Sequence, residues 1–173
     1  TGYKSKQIEK FMKDKFQTIN YRIINSGDVK IIQRIKDIID SAENKDIILC
    51  YGDTISNVDL NKLTKFHYKN LNSVTITSYP INIPFGVMNI DKNNMVKSFV
   101  EKPILDDVMN IGYFYISKSL FDNFYKYNSF EDVLINLAKK KKLKCYQHKD
   151  IHITINTIKE LEYANENIKK IFK

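Results

Sequence analysis

The chain has only two cysteines and no long hydrophobic run, and both features restrict the cellular compartment in which it is expected. Its two cysteines, Cys50 and Cys145, lie far apart in apolar, strand-like segments. This placement favours two buried thiols in a reducing cytoplasm over a disulfide. No stretch of about 18 apolar residues is present, which excludes a membrane-spanning helix. The first residues also lack a signal-peptide pattern, so we expect a cytoplasmic protein with no membrane partner.

Glycine and proline are scarce as well, with five and three residues in a chain of 173. Each glycine is therefore informative about backbone geometry. The composition is 43% hydrophobic and 28% charged, which is typical of a globular protein. This length suits one domain with a sizeable core.

The net charge of +8 is compatible with nucleic acid, an anionic surface or a phosphorylated small substrate as the partner. The largest basic cluster, Lys139 to Lys142 with Lys144, closes a predicted helix. Lysines in a last helical turn complement the helix dipole, which favours a solvated helix end. Aromatic residues of the kind that stack on bases are not interleaved with it.

The stretch from Asp46 to Asp53 is the centre of the predicted fold. The apolar run of residues 47–50 predicts a strand buried on both faces, as in a parallel sheet. Gly52 allows a sharp turn or close approach of a ligand. Asp53 then stands at the carboxyl end of the strand, where open α/β sheets bind ligands. The local pattern leaves open whether Asp53 only starts the turn or binds something.

The remaining pattern predicts an α/β fold. Up to residue 80 the order αβαβαβ favours a doubly wound parallel sheet, and a strand-rich region with a hairpin follows. Asp59 is predicted to be the N-cap of one helix, and Asp91 to Asn94 the hairpin turn. The first predicted helix begins at Ser5, which is interpreted as its N-cap. The other predicted helices cover residues 29–42, 59–69, 118–125, 129–141 and 157–172. The predicted strands cover residues 18–24, 47–50, 73–79, 85–90, 95–100, 109–117, 143–148 and 151–155.

Motifs spread over nearly the whole chain resemble those of the sugar-1-phosphate nucleotidyltransferases, and the resemblance is strongest to the bacterial glucose-1-phosphate cytidylyltransferase type. This resemblance implies a Rossmann-like (GT-A-type), mostly parallel sheet flanked by helices, with a hairpin-rich sugar-binding part. Residues 1–80 would form the remainder of a nucleotide-binding core, and residues 81–173 the sugar-phosphate-binding part and C-terminal helix of one domain. The matching motifs are Gly2-Tyr3-Lys4, Asn25-Ser26-Gly27, Tyr51-Gly52-Asp53, Val58-Asp59-Leu60, Phe66-His67, Phe85-Gly86-Val87, residues 99–103, residues 110–114 and Asn156-Thr157.

The resemblance also implies a reaction. The phosphate of a sugar 1-phosphate attacks the α-phosphorus of a nucleoside triphosphate, pyrophosphate leaves, and an NDP-sugar forms. Mg²⁺ assists such chemistry and needs hard oxygen ligands. The nucleophile is already present in the substrate, so the protein mainly positions the reactants and neutralises charge.

The same resemblance assigns roles to single residues. Asp53 corresponds to a catalytic, metal-binding aspartate, and Lys102 to a lysine that holds the sugar phosphate. Glu101 corresponds to a carboxylate that binds sugar hydroxyls. The remaining correspondences are Gly86 and Asn110 in sugar contact, Gly27, Tyr51 and Gly52 near the nucleotide, and Asn156 at a second metal position.

Each residue also has a plainer interpretation. Glu101 and Lys102 are also compatible with an ordinary exposed pair at a strand end. Asn110 could satisfy a buried backbone group. The three histidines have no carboxylate or cysteine at metal-ligand spacing, which favours structural or surface positions.

Two features depart from the family pattern. The glycine-rich segment Gly-Gly-x-Gly-Thr-Arg-Leu, which forms the first strand and cradles the triphosphate, does not occur in these residues. We therefore expect the chain to be the remainder of a longer protein. In addition, Asn156 stands where the family has an aspartate, which keeps one oxygen ligand but removes a negative charge.

Three hypotheses follow. The first is a nucleotidyltransferase that makes an NDP-sugar for surface polysaccharide, with a nucleoside triphosphate and a sugar 1-phosphate as partners and CTP modestly favoured. The second is a catalytically impaired homologue that binds a sugar phosphate or nucleotide as a subunit. The third, a basic RNA- or DNA-binding domain, is disfavoured, so no nucleic-acid partner is expected. Members of the family are commonly dimeric or larger, which makes a homo-oligomer a candidate state and leaves the oligomeric state open. The resemblance fixes neither the base nor the sugar.

Overall fold

The computed structural model describes residues 1–171, which form six helices, eight strands and one short 3₁₀ turn. The predicted end of the last helix, Phe172, lies outside these residues. In chain order the elements are α1 (Ser5–Lys15), α2 (Ile31–Ser41), β1 (Ile47–Cys50), β2 (Thr54–Ser56), α3 (Leu60–Tyr68), β3 (Val74–Asn82), β4 (Val87–Ile90), β5 (Val96–Val100), β6 (Ile104–Ile116), the 3₁₀ turn (Lys118–Leu120), α4 (Asp122–Tyr125), α5 (Phe130–Lys139), β7 (Leu143–Gln147), β8 (His152–Thr154) and α6 (Ile158–Ile171).

The strands form one larger sheet and two pairs. Four strands lie in the order β1-β6-β3-β7, so strands that are neighbours in sequence are separated in the sheet. β2 pairs with β8, and β4 pairs with β5, both antiparallel. The prediction of a mixed α/β fold with a central sheet, helices and a β-hairpin is confirmed. Across the described residues, no helix has both the length and the apolar character needed to cross a membrane.

Contacts divide the chain into two compact units, and the chain passes between them several times. The first unit contains residues 1–47, 70–74 and 116–144. Its α2 carries isoleucines at helical spacing, which form one buried stripe, and this helix packs against α4. The buried apolar side chains of this unit include Ile32, Ile35, Ile39, Leu120, Phe124, Phe130 and Leu137.

The second unit contains residues 48–69, 75–115 and 145–173 and holds most of the strands. One core cluster joins Val58 and Leu63 to Ile111 of β6. A second cluster forms where α6 packs on β8, with Ile153, Ala164 and Ile171. All predicted site residues except Gly27 belong to this unit. The proposed functional division at residue 80 stays a prediction.

Strand β6 passes through two environments. Its first seven residues, 104–110, are exposed, whereas the following six are buried or half-buried. The predicted strand of residues 109–117 therefore corresponds to only the second part of an element 13 residues long.

Local signals predicted several element ends correctly. The Asp59 side chain accepts a hydrogen bond from the Lys62 amide at 2.9 Å, as expected of an N-cap. Asp91 Oδ1 accepts from the amides of Asn93 and Met95 at 2.8 and 3.0 Å and closes the predicted hairpin turn. The lysines 139–142 and Lys144 are exposed, as predicted for a solvated helix end.

Other predictions are wrong. Residues 18–24 form a turn and irregular backbone instead of a strand, because the described part of the chain offers no strand that pairs with them. The N-cap of α1 is Lys4, in a left-handed conformation, and not Ser5.

β1 and the cysteines also differ from expectation. β1 alternates between half-buried and exposed residues because, among the described strands, it is bordered by β6 alone at the end of the sheet order. Both Cys50 and Cys145 are free, as predicted, but they are exposed rather than buried. The apolar runs around them are therefore covered on one face only.

Candidate functional site

The pairing of β2 with β8 brings the two predicted metal ligands to one edge of the second unit. The strands are antiparallel, with Thr54 opposite Thr154. Next to this pair, the carbonyl of Asp53 accepts a hydrogen bond from the Ile155 amide at 2.8 Å. Asn156 follows directly, so it lies beside the turn that carries Asp53, and both residues are exposed.

Hydrogen bonds at the start of α6 fix the backbone of Asn156. Glu160 Oε2 accepts from the amides of Asn156 and Thr157 at 2.7 and 2.8 Å, and Thr157 Oγ1 accepts from the Glu160 amide at 3.2 Å. This is a capping box extended by one residue. The Asn156 amide is the first cause, and the Thr157 hydroxyl the second, that lower the pKa of the Glu160 carboxyl from its ordinary value. The Asn156 side chain has no hydrogen-bond partner within residues 1–171 and faces solvent.

A glycine in β6 supports the predicted nucleotide-binding Tyr51. The Gly112 carbonyl accepts from the Tyr51 amide at 2.9 Å, and the Tyr51 ring lies 5.7 Å from that of Phe114. The Gly112 amide in turn donates to Asn110 Oδ1 at 2.9 Å. The oxygen of Asn110 therefore satisfies a backbone amide, as the plainer interpretation of this residue proposed, although Asn110 itself is exposed.

The open end of the hairpin brings together the predicted sugar-phosphate residues. The register pairs Val87 with Val100, which sets Gly86 opposite Glu101. The Lys102 amide donates to the Phe85 carbonyl at 3.2 Å. Within the described chain neither Glu101 nor Lys102 forms an ion pair, so their charged groups face solvent instead of each other.

Lys102 has a backbone that lysine adopts at a cost. Its φ of 47° is in the left-handed region, where a side chain crowds the following carbonyl. Such strain persists only where the surroundings impose it, and it is frequent at ligand-binding positions. Six other non-glycine residues of the described chain, among them Lys4 at the start of α1, also have a positive φ, so the role of Lys102 stays a prediction from the resemblance.

Two glycines predicted near the nucleotide have open space where a side chain would stand. An added Cβ would meet no atom within 4 Å at Gly27 or Gly52. Gly27 has a φ of 75°, and its amide donates to Asn25 Oδ1 at 3.1 Å. It belongs to the first unit, so its predicted role stays a prediction. Gly52 lies between Tyr51 and Asp53 in the exposed turn.

The oxygen atoms at this edge suit a hard cation. Asp53 offers a carboxylate and Asn156 an amide oxygen, and Thr54 Oγ1 lies 3.4 Å from Asp53 Oδ1. The described residues contain no group of three or more histidine, cysteine, aspartate or glutamate side chains that could hold a metal ion alone. One carboxylate with one neutral oxygen fits Mg²⁺, which proteins bind with few ligands together with substrate phosphates.

The histidines have partners within the fold. His67 is fully buried, and its Nδ1 lies 2.9 Å from Thr75 Oγ1. His148 is also buried, with Nε2 3.1 Å from the Ile151 carbonyl. Burial, followed by the neighbouring His148, lowers the pKa of His152. Such contacts within the fold are typical of histidines with a structural role.

Sequence reasoning missed two contributors to the site. An added Cβ at Gly112 would lie 2.6 Å from ring atoms of Tyr51, and one at Gly86 would lie 2.4 Å from Phe99 Cζ. Both glycines therefore accommodate an aromatic ring. A glycine inside a strand signals such close approach, and this signal was available for Gly112. No sequence signal identified Phe99 as the ring over Gly86.

Comparisons with known proteins agree on one family. Residues 3–171 match the nucleotidyl transferase family. A probable glucose-1-phosphate cytidylyltransferase of Bacillus subtilis strain 168 is 32% identical over 136 residues, which is 77% of this chain and 53% of that protein. A glucose-1-phosphate adenylyltransferase of Mycoplasma mobile is 28% identical over 142 residues, covering 73% of this chain and 37% of the relative.

Solved structures share the fold. HddC from Yersinia pseudotuberculosis superposes with a TM-score of 0.67 at 22% identity, covering 96% of this chain and 76% of that one. A candidate glucose-1-phosphate thymidylyltransferase from Bacillus anthracis gives a TM-score of 0.72 at 15% identity, with 97% and 73% covered.

The chain spans about half the length of the Bacillus subtilis relative and a smaller share of the Mycoplasma mobile one. The match to the family nevertheless extends over almost every residue of this chain. Its relatives are sugar-1-phosphate nucleotidyltransferases that differ in nucleotide. The chain belongs to the nucleotidyl transferase family.

Proposed function

We propose that the protein transfers a nucleotidyl group from a nucleoside triphosphate to a sugar 1-phosphate, forming an NDP-sugar and pyrophosphate. The hydrogen bond from the Ile155 amide to the Asp53 carbonyl is the observation that carries this function. It supports the proposal because the backbone of Asn156 then follows directly on a residue bonded to Asp53, and both exposed side chains offer hard oxygen ligands.

The chemistry asks mainly for positioning and for neutralisation of negative charge. Asp53 and Asn156 would hold Mg²⁺ together with phosphate oxygens of the substrate. When bound, Mg²⁺ would offset the negative charge of those oxygens. Gly52 and Tyr51 lie next to Asp53, and the open space at Gly52 allows the nucleotide to approach the backbone.

The sugar 1-phosphate is bound at the open end of the hairpin. Lys102 supplies a compact positive charge to the phosphate. Glu101 accepts hydrogen bonds from sugar hydroxyls. Gly86 offers its backbone amide to the sugar, and Asn110 adds a side-chain contact.

CTP is our first choice of nucleotide, because the Bacillus subtilis relative is a probable cytidylyltransferase. Relatives described as adenylyl- or guanylyltransferases make ATP and GTP the next candidates. We further propose a cytoplasmic homo-oligomer that supplies surface polysaccharide synthesis.

A second candidate function is a binding subunit with little or no catalysis. The observation that favours it is Asn156, an amide at a position where the family has a carboxylate. A site with one carboxylate binds Mg²⁺ more weakly, because the neutral oxygen contributes less to the attraction of the cation.

Pyrophosphate release by the full-length protein separates these functions. We expect turnover with Mg²⁺ and one pair from a panel of CTP, UTP, dTTP, ATP and GTP with hexose and heptose 1-phosphates. Asp53→Asn should lower kcat by about 100-fold. Asp14→Asn, at an exposed carboxylate on α1, is the matched control and should leave it unchanged. If no pair turns over while a nucleotide or sugar phosphate still binds, the protein is the binding subunit.

A further inference from the structure

We infer that Asn110 is a positioning residue: its oxygen holds the Tyr51-Gly52-Asp53 turn through Gly112, and its amide nitrogen donates to the ligand. The first half concerns the fold of this chain, and the second half rests on the proposed function. The inference gives one side chain two separate tasks that two substitutions can distinguish.

The first contact is local to β6. Asn110 Oδ1 accepts the Gly112 amide at 2.9 Å, a side chain bonding to the backbone two residues later. Gly112 has a φ of 77°, which only glycine adopts without strain. The amide side chain therefore stabilises a break in the regular strand at the point where β6 passes from exposed to buried residues.

The second contact passes from β6 to the turn. The Gly112 carbonyl accepts the Tyr51 amide at 2.9 Å. A Cβ at residue 112 would lie 2.6 Å from both Cγ and Cδ2 of Tyr51, so the tyrosine ring rests against bare backbone. A change in the φ and ψ angles of Gly112 would break the hydrogen bond to Tyr51 and disturb this ring contact together. By holding the Gly112 amide, Asn110 restrains these angles and so helps to position Tyr51, in addition to the pairing of β1 with β6.

The turn is then held at both ends. Tyr51 is bound by Gly112, and two residues later Asp53 is bound through its carbonyl by the Ile155 amide. Gly52, between them, is exposed and has no neighbouring atom within 4 Å of an added Cβ. A shift at Tyr51 would therefore pass through a flexible glycine to the carboxylate of Asp53.

The remaining group of Asn110 is fixed by the first contact. Because Oδ1 accepts from a backbone amide, the side-chain orientation is determined and Nδ2 carries the two outward donors. Nothing within residues 1–171 accepts a hydrogen bond from Nδ2, and the residue is exposed. Asn110 Nδ2 can therefore donate to an acceptor on a ligand, such as a sugar hydroxyl oxygen, while Oδ1 remains bonded to Gly112.

Amide hydrogen exchange in the full-length protein tests the positioning role without reference to activity. Asn110→Ala should accelerate exchange at Gly112 and Tyr51 by about two- to tenfold. Asn110→Asp keeps an acceptor and should leave both amides as protected as in the parent protein. Asn89→Ala removes an exposed asparagine from β4 and should change neither amide. Unchanged protection in Asn110→Ala overturns the inference.

Steady-state kinetics tests the second task. Asn110→Asp should raise KM for the sugar 1-phosphate by about tenfold with kcat within about twofold, since the donor is lost and a negative charge is added while the acceptor for Gly112 is kept. Asn110→Ala should raise KM and also lower kcat by about tenfold, since the turn is released as well. Equal kinetics for the two variants contradicts the division of tasks. A parent protein that turns over no substrate removes the proposed function, and the exchange result still decides the positioning role.

Discussion

The carbonyl oxygen of Asp53 and the amide of Ile155 are joined by a hydrogen bond of 2.8 Å, and this bond ties the turn after β1 to the junction between β8 and α6. Residues about 100 positions apart in the chain thereby form one edge, with Asn156 next to the bond. The identity of residue 156 should therefore affect what Asp53 can hold.

Asn156→Asp should strengthen Mg²⁺ binding, because a second carboxylate adds a charged ligand to the edge. We expect the Mg²⁺ concentration for half-maximal activity to fall by about tenfold. A Mg²⁺ titration of pyrophosphate release measures this. Asn165→Asp, at an exposed position of α6, adds the same charge as a control. An unchanged Mg²⁺ dependence in Asn156→Asp would place the cation elsewhere.

Gly86→Ala should impair sugar-phosphate binding more than stability. The added Cβ would lie 2.4 Å from Phe99 Cζ and 3.0 Å from Glu101 Oε2, so both side chains must move. Phe99 is 60% exposed and can swing outward at little cost, but the carboxylate then leaves its position. We expect a KM for the sugar 1-phosphate about tenfold higher.

The double variant Gly86→Ala/Phe99→Ala is the control for that crowding. Removing the ring should reverse part of the increase in KM that Gly86→Ala causes, so the effects of the two substitutions on KM should be strongly non-additive. Additive effects would show that the Phe99 ring is not what requires glycine at position 86.

Leu63→Ala should destabilise the second unit by about 2–5 kcal/mol, because a fully buried leucine of its core cluster leaves a cavity. Leu60 lies on the same helix and is 44% exposed, so Leu60→Ala should lower the free energy of unfolding far less. Urea unfolding followed by circular dichroism compares the two variants. A similar loss from both would contradict the packing of α3 described here.

Protonation of Asp59 at low pH should weaken its hydrogen bond to the Lys62 amide and so destabilise the start of α3. The Lys62 amide is the main cause that lowers the pKa of this carboxyl below its ordinary value of 3.8. Because the folded-state pKa is depressed, the stabilisation is present above 3.8 and is lost as the pH falls through the lower, folded-state value. Thermal unfolding between pH 6 and about 2 should show this loss.

Asp59→Asn provides the matched comparison for the acid effect. Its amide oxygen still caps Lys62, so the variant should retain the cap at neutral pH and lack the acid-dependent part of the loss. A pH profile identical to that of the parent protein would assign the acid sensitivity to other carboxylates.

Prediction from sequence succeeded where the signal was local. The Asp91 turn, the Asp59 cap and the isoleucine stripe of α2 each depend on residues within a few positions of one another. The strand at 18–24 and the burial of β1 depend on neighbours distant in sequence, and there the predictions were wrong. The adjacency of Asp53 and Asn156 was predicted from family resemblance, since neither spacing nor composition indicates that β2 pairs with β8.

Asn110 shows a limit of a different kind. Its contact with Gly112 is local, and a glycine inside a strand was visible in the sequence. Which of the two Asn110 groups turns inward depends on the φ of Gly112 and on Tyr51, and these become known only with the fold.

The two environments of β6 bear on how such a protein diverges. Residues 104–110, including Asn110, face solvent, whereas residues 111–116 contribute to the interior. Substitutions in the outer half should cost little folding free energy, because exposed side chains contribute little to it. A single strand thus joins positions that tolerate substitution to positions that packing constrains.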